Sequence, residues 1–312
     1  MTRQLSRDLE VAQRIEASLG EVPAWDAERQ VLIWVDVTNR IVHQWSPATD
    51  RDEAMTVDGF VGAAVPWKPG HLALATADGF GDLDLASGAF EVFARLPTPE
   101  RPSLMNDAKC DGLGRYWGGT IALDLSAGAG KLHRLDLDGT IQILLEGLHI
   151  SNGLGWSPDN RVMYLVDSFD AMFAFDFDMD EGTITRQRRL IEVPRSEGVM
   201  DGLTVDQEGH IWVAIFGGSS VRRYTAAGEL VAEIPLPITH PTSCVFGGPD
   251  LEDLYITSAR QDENGPMDAS RLINQPLAGS VFRVRPGVRG LPTHSFTGNS
   301  LHGYGDAHET TS

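Results

Sequence analysis

The chain has 312 residues and a mass of 34.0 kDa, with 25 Lys and Arg against 44 Asp and Glu, a formal charge of −19. Phosphate recognition needs a basic face, and no run of Lys and Arg here exceeds two residues, which excludes a nucleic-acid scaffold as the first reading. A hydrophobic share of 42% fits a globular chain able to bury a large core, and no stretch reaches the roughly 18–20 apolar residues that cross a bilayer.

The first twenty residues lack an apolar segment followed by a small-residue cleavage site, so an unexported, cytoplasmic protein is expected. Residues 5–17 are the one window with a passable helical pattern, although Leu9, Val11 and Ile15 also permit a strand. Beyond them the chain is a series of short alternating β-branched and aromatic runs, cut every 8–12 residues by Gly, Asp-Gly, Pro-Asp or Pro-Gly. That pattern reads as all-β. A turn followed by an aromatic or aliphatic run recurs at residues 25–34, 71–74, 110–117, 156–164, 205–212 and 246–255. The runs end at Trp34, Leu74, Trp117, Tyr164, Trp212 and Tyr255, which lie 40 to 48 residues apart. Spacing in the forties is the length of one four-stranded propeller blade, and six copies fill residues 1–298 as a single domain. Residues 299–312 are polar and Gly-rich and read as a disordered tail.

In each blade the innermost strand precedes the turn. Stepping back 11–13 residues from the six anchors lands on Glu21, Gly62, Asn106, Asn152, Asp201 and Ser243. At one phase of the inner strands these positions converge on one mouth of the central channel. Two carboxylates and two carboxamides among apolar runs call for a partner, because buried charge is costly unpaired. A hard divalent cation is the natural one. Each Asp-Gly or Asn-Gly taken singly is also an ordinary turn, and it is the shared phase that lifts the four above that reading.

Other features carry less. Cys110 and Cys244 lack ligand spacing and read as free buried thiols. Residues 176–182 resemble a Ca²⁺ loop but lack Gly at the sixth position and Glu at the twelfth, and read as a hairpin turn. There is no nucleophile elbow and no nucleotide-binding glycine motif. His149 and His240 adjoin the channel positions as rim or core residues, and Trp34, Trp117 and Trp212 read as packing between blades.

The segments GEVPAW (20–25), NDAKCD (106–111), ISNGLGWSPD (150–159), MDGLTVD (200–206), TSCVFGG (242–248) and GSVFRVRPGVRG (279–290) resemble the regucalcin (senescence marker protein), gluconolactonase and luciferin-regenerating enzyme family, in the same order from about residue 9 to about 296. The resemblance implies a six-bladed propeller with four-stranded blades and one divalent metal at the channel mouth. It implies Glu21, Asn152 and Asp201 as metal ligands, Asp201 as general base, and Asn106 facing substrate and water. It further implies closure of the ring by an N-terminal strand, for which residues 9–17 are available, at the outer edge of the last blade. Members acting on sugar acids have an Arg where this chain has Leu104 and a Glu near the place of Asp124, so Leu104 and Asp124 mark the substrate side and point to a less hydroxylated lactone.

Such a site activates water and polarises a carbonyl, which suits hydrolysis of a lactone whose leaving alkoxide stays tethered. The expected function is a metal-dependent lactonase acting on a small-molecule lactone or ester, with no nucleic-acid or membrane partner. An organophosphate or carboxyl-ester hydrolase and a non-enzymatic Ca²⁺-binding protein are the alternatives. Ca²⁺, Zn²⁺, Mn²⁺, Mg²⁺ and Fe²⁺ all suit the oxygen-rich set, and monomer and dimer are both open.

Overall fold

A computed structural model describes residues 3–5, 8–98, 101–262 and 265–299. The expected tail falls, apart from Asn299, outside the described residues. Six antiparallel sheets stand as the blades of a propeller, and the innermost strands of consecutive blades touch around a closed ring. Those strands are Gly20–Asp26, Val61–Pro66, Ser103–Cys110, Ser151–Trp156, Val199–Val205 and Pro241–Gly247. Burial falls from the axis outward. In blade 4 the inner strand is wholly buried, whereas the outermost, Thr183–Ile191, is mostly exposed.

The anchors explain why the repeat is visible. Trp34, Leu74, Trp117, Tyr164, Trp212 and Tyr255 all lie in second strands and are at most 2% exposed, wedged between blades. The turns before Trp117 and Trp212 repeat one device, in which Asp111 and Asp206 accept the indole N–H at 2.8 Å and two backbone N–H groups of the turn. A buried indole thereby keeps its polar atom satisfied.

The helical pattern at residues 5–17 yields to the sheet. Glu10–Gln13 is a strand that pairs antiparallel with Val281–Val284 as the outermost strand of blade 6, joining both ends of the chain in one sheet and leaving the ring without a gap. Arg3–Gln4 adds a parallel fifth strand to blade 5, beside Leu230–Pro235. In blade 1 the outer position is shared by Arg51–Asp52 and Met55–Thr56. The α-helix among the described residues is Ala269–Asn274, in the blade 6 connection at the end of the ring where Glu21 lies, with Asp268 capping the backbone N–H of Arg271. At the opposite end, residues 286–299 cross the channel as a strap. Thr293 accepts the Trp25 N–H, Phe296 donates to the Pro66 carbonyl, and Trp67 donates to the Gly298 carbonyl at 2.9 Å.

Candidate metal centre

Each innermost strand slips register against its neighbour at the channel position. The shifts fall at Glu21/Ala24, Val61/Ala63, Met105/Ala108, Ser151/Leu154, Met200/Leu203 and Pro241/Cys244. A bulge takes residues out of the ladder and re-aims their side chains, and Glu21, Gly62, Asn106, Asn152, Asp201 and Ser243 lie within or at the edge of the six irregularities. The glycines among them permit the close approach of adjacent inner strands. A Cβ on Gly62 would lie 2.4 Å from the Met105 carbonyl oxygen, and one on Gly153 would lie 2.5 Å from the Leu203 nitrogen and 2.7 Å from the Asp201 oxygen.

Two of these residues, Asn106 and Asn152, join Ser168 in one hydrogen-bonded arc. Asn106 Nδ2 donates to the Ser151 carbonyl at 3.1 Å and to Asn152 Oδ1 at 2.7 Å. Asn152 Nδ2 then donates to Ser168 Oγ at 2.8 Å, and Ser168 donates to the Met200 carbonyl, the residue before Asp201, at 2.7 Å. With both amide hydrogens engaged, Asn106 presents its Oδ1 as an acceptor. Ser168 is a fixing residue that the sequence reading did not single out.

Electrostatics mark the same place. Burial, then the charges of Asp201 and Asp107, raise the Glu21 carboxyl well above its ordinary range, against a Val22 N–H that favours the anion. Burial and Asp107 raise Asp201 likewise. Burial lifts Asp107 to about 7, opposed by Lys109. Glu21, Asp107 and Asp201 are at most 7% exposed, and Asp201 Oδ1 has no hydrogen-bond partner. Three crowded carboxylates with an orphaned oxygen fit a hard cation, because a dication would relieve both the repulsion and the unsatisfied atom. Asp107 and Lys109 were not foreseen. Their signal in the sequence is a polar Asn-Asp-x-Lys run inside an inner strand that should otherwise be apolar.

A second acidic group is already partly paired. Asp206, Glu208 and His210 can bring ligand atoms within 4.8 Å of one another. They belong to the far turn of blade 5, five residues and about 16 Å along the strand from Asp201. Arg223 bonds both carboxylates at 2.6 Å, and Asp206 also serves the Trp212 indole, so both acidic side chains already have partners.

The remaining expected residues line the rim. Leu104 is half-buried two positions before Asn106 and pairs with Ile121. Asp124 is exposed in the following connection, turned to Arg101 at 3.3 Å and to Ser126, and no contact joins it to Asn106. His149 reaches the Leu125 carbonyl and lies against Phe169. His240 is buried against Phe216, bonded to Thr239, and held neutral by desolvation, which lowers it to about 4. Among the described residues no helix is long and apolar enough to cross a membrane.

Comparison with known proteins agrees with this architecture. Residues 19–260 match the SMP-30/Gluconolactonase/LRE-like region. Regucalcin of Danio rerio is 37% identical over 286 residues, covering 90% of this chain and 95% of the relative. A luciferin-regenerating enzyme superposes with a TM-score of 0.84 at 29% identity, covering 93% and 99% of the two chains. A calcium-binding regucalcin from Agrobacterium tumefaciens gives 0.88 at 26% identity, covering 95% and 99%. The bulged, carboxylate-lined inner ring thus belongs to a propeller of known lineage, and the chain is a member of the SMP-30, gluconolactonase and luciferin-regenerating enzyme family.

Proposed function

We propose that the protein is a divalent-metal-dependent hydrolase that opens a lactone ring with water. Family membership supports a lactonase-like activity on a small molecule, and the observation that carries the metal is the orphaned Asp201 Oδ1 among three mutually repelling buried carboxylates. Glu21, Asn152 and Asp201 would hold the ion. When bound, a dication polarises a carbonyl and lowers the pKa of water. Asn152 is fixed for its role by Ser168, so its amide does not need ordering on binding. Asn106, its hydrogens engaged, accepts from water or a substrate hydroxyl through Oδ1 and so orients it. Asp201 would accept the proton as water adds to the carbonyl carbon and return it to the alkoxide as the ring C–O bond breaks, the leaving oxygen staying tethered to the product.

Substrate selection falls to the rim. Leu104 stands two residues before Asn106, and Leu123, Leu125 and Ile273 expose 61%, 42% and 77% of their surfaces on connections at the same end. An apolar rim supports a lactone with few hydroxyls, and the exposed Asp124 would act at its edge. The Agrobacterium relative's description as calcium-binding makes Ca²⁺ the first ion to test.

The deciding experiment is proton release by chelator-stripped protein with each divalent metal over sugar lactones, aliphatic γ- and δ-lactones, acyclic esters and a phosphotriester. Metal-restored turnover of aliphatic lactones above sugar lactones is expected. Turnover confined to the phosphotriester or the acyclic esters would assign the site to the alternative hydrolase, and a metal-dependent rise in melting temperature without any turnover would leave a Ca²⁺-binding protein.

A further inference from the structure

One charge inside the channel has no part in the proposed reaction. Lys109 lies half-buried in the inner strand of blade 3 and donates from Nζ to the Leu203 carbonyl of blade 5, 2.8 Å away, passing over blade 4. A strut between blades that are not neighbours in the ring ties the strand of Asn106 and Asp107 to the strand of Asp201. Lys109 also borders a cavity of about 190 Å³ under the strap at residues 291–294, so it stands between the carboxylates and that lower chamber. Asp107 precedes it by two positions, inside the bulge of the same strand. Burial disfavours the lysine's charge and Asp107 supports it, while Lys109 in turn is the cation that favours ionised Asp107. Among the groups that act on Glu21, Asp107 and Asp201, Lys109 is the positive one.

With an ion bound and the three carboxyls ionised, Glu21, Asp201 and the adjoining Asp107 against the Lys109 ammonium leave a charge of minus two, which a single dication cancels. We propose that Lys109 is a positioning residue that fixes the charge of the centre, converting a three-carboxylate cage that would favour a trivalent ion into one matched to a divalent ion, while bracing blade 3 against blade 5. The inference deepens the reading of Glu21, Asn152 and Asp201 as metal ligands and rests on it. Lys109 bonds the Leu203 carbonyl and not a ligand side chain. Its influence is Coulombic and therefore grows with the charge of the bound ion.

Ion charge supplies the test. Chelator-stripped wild type, Lys109→Met, Lys109→Arg, Asp107→Asn and the double variant Lys109→Met/Asp107→Asn are titrated with Ca²⁺ and with Tb³⁺ at one fixed pH above neutrality, and melting curves are recorded without metal. Lys109→Met is expected to raise the ratio of Tb³⁺ to Ca²⁺ affinity by on the order of tenfold. Asp107→Asn should lower the ratio by a similar factor, and Lys109→Arg and the double variant, which keep or restore the charge, should return it toward wild type. A lysine that only braced the blades would change both affinities by one factor, so an unmoved ratio in Lys109→Met would overturn the proposal. If that variant does not fold, an unmoved ratio in Asp107→Asn does the same. Wild type that binds Ca²⁺ with no ratio change in any variant refutes this inference alone, whereas wild type that binds neither ion refutes the metal-centre reading with it.

Discussion

Replacing Asp201 with Asn separates the stability of the empty centre from that of the loaded one. Asp201 is 6% exposed, has an oxygen without a partner, and is pushed toward protonation by burial and Asp107. Asn keeps a polar side chain in place and removes only the carboxyl's ionisation, and each unit by which burial raises a pKa is worth about 1.4 kcal/mol. In chelator at about pH 8, where Asp107 is largely ionised, Asp201→Asn should therefore stabilise the protein by about 1–3 kcal/mol. At about 2–4 °C per kcal/mol that is a rise in Tm of roughly 2–12 °C. Metal reverses the order. A ligand at a hundred times its Kd adds about 2.7 kcal/mol to the state that binds it, so Ca²⁺ should raise wild-type Tm by roughly 5–10 °C and leave Asp201→Asn nearly unmoved. Scanning calorimetry of both proteins with and without Ca²⁺ reads all four values. A lower Tm for the variant in chelator, or an undiminished rise with Ca²⁺, would refute the reasoning.

Three further outcomes follow from the same structure. Carboxyls raised above their ordinary range hold protons in the folded state that the unfolded chain has released, so metal-free stability is greatest at low pH from this source and is lost as pH rises through the folded values. His133 and His240, lowered by burial to about 4, lose stability in the opposite direction below their ordinary 6.5. The carboxylate effect is therefore isolated between about pH 6.5 and 8, where metal-free Tm should fall and Asp107→Asn should fall less steeply; equal slopes in the two proteins would remove Asp107 from the account. Gly153→Ala places a methyl against the Leu203 nitrogen and the Asp201 carbonyl, and should cost about 1–3 kcal/mol in denaturant unfolding and weaken Ca²⁺ binding at least tenfold, with wild-type calorimetric binding counting against the close-approach argument. Deletion of residues 1–13 strips the outermost strand from blade 6 and the Gln13 partner of Trp34, so Tm should drop while the Ca²⁺ affinity of the folded fraction holds; an unchanged Tm would speak against closure by this strand.

The number of blades, their second-strand anchors and the inner-strand positions that fall at the bulges were legible in the sequence because each is set by local order: a turn, an alternation and a count of residues along one strand. The same local order left residues 5–17 open between helix and strand, which pairing with blade 6 decides, and left the helix at Ala269–Asn274 unread, although Asp268 stood ready as its cap. What the tertiary structure alone decided is which charges face one another. The sequence placed Glu21, Asn106, Asn152 and Asp201 in one ring, but the bulges that turn them inward, the Ser168 that fixes Asn152, and the Lys109 bond across to Leu203 exist only once six blades close. The acid-rich turn at Asp206 makes the converse point, since Arg223 arrives from a nearby strand to pair with it, as does the strap at residues 286–299, whose partners lie in blades 1, 2, 3, 5 and 6. Alternation and turns are local and survive in a linear reading, whereas the energy of a buried charge depends on every neighbour that folding brings to it.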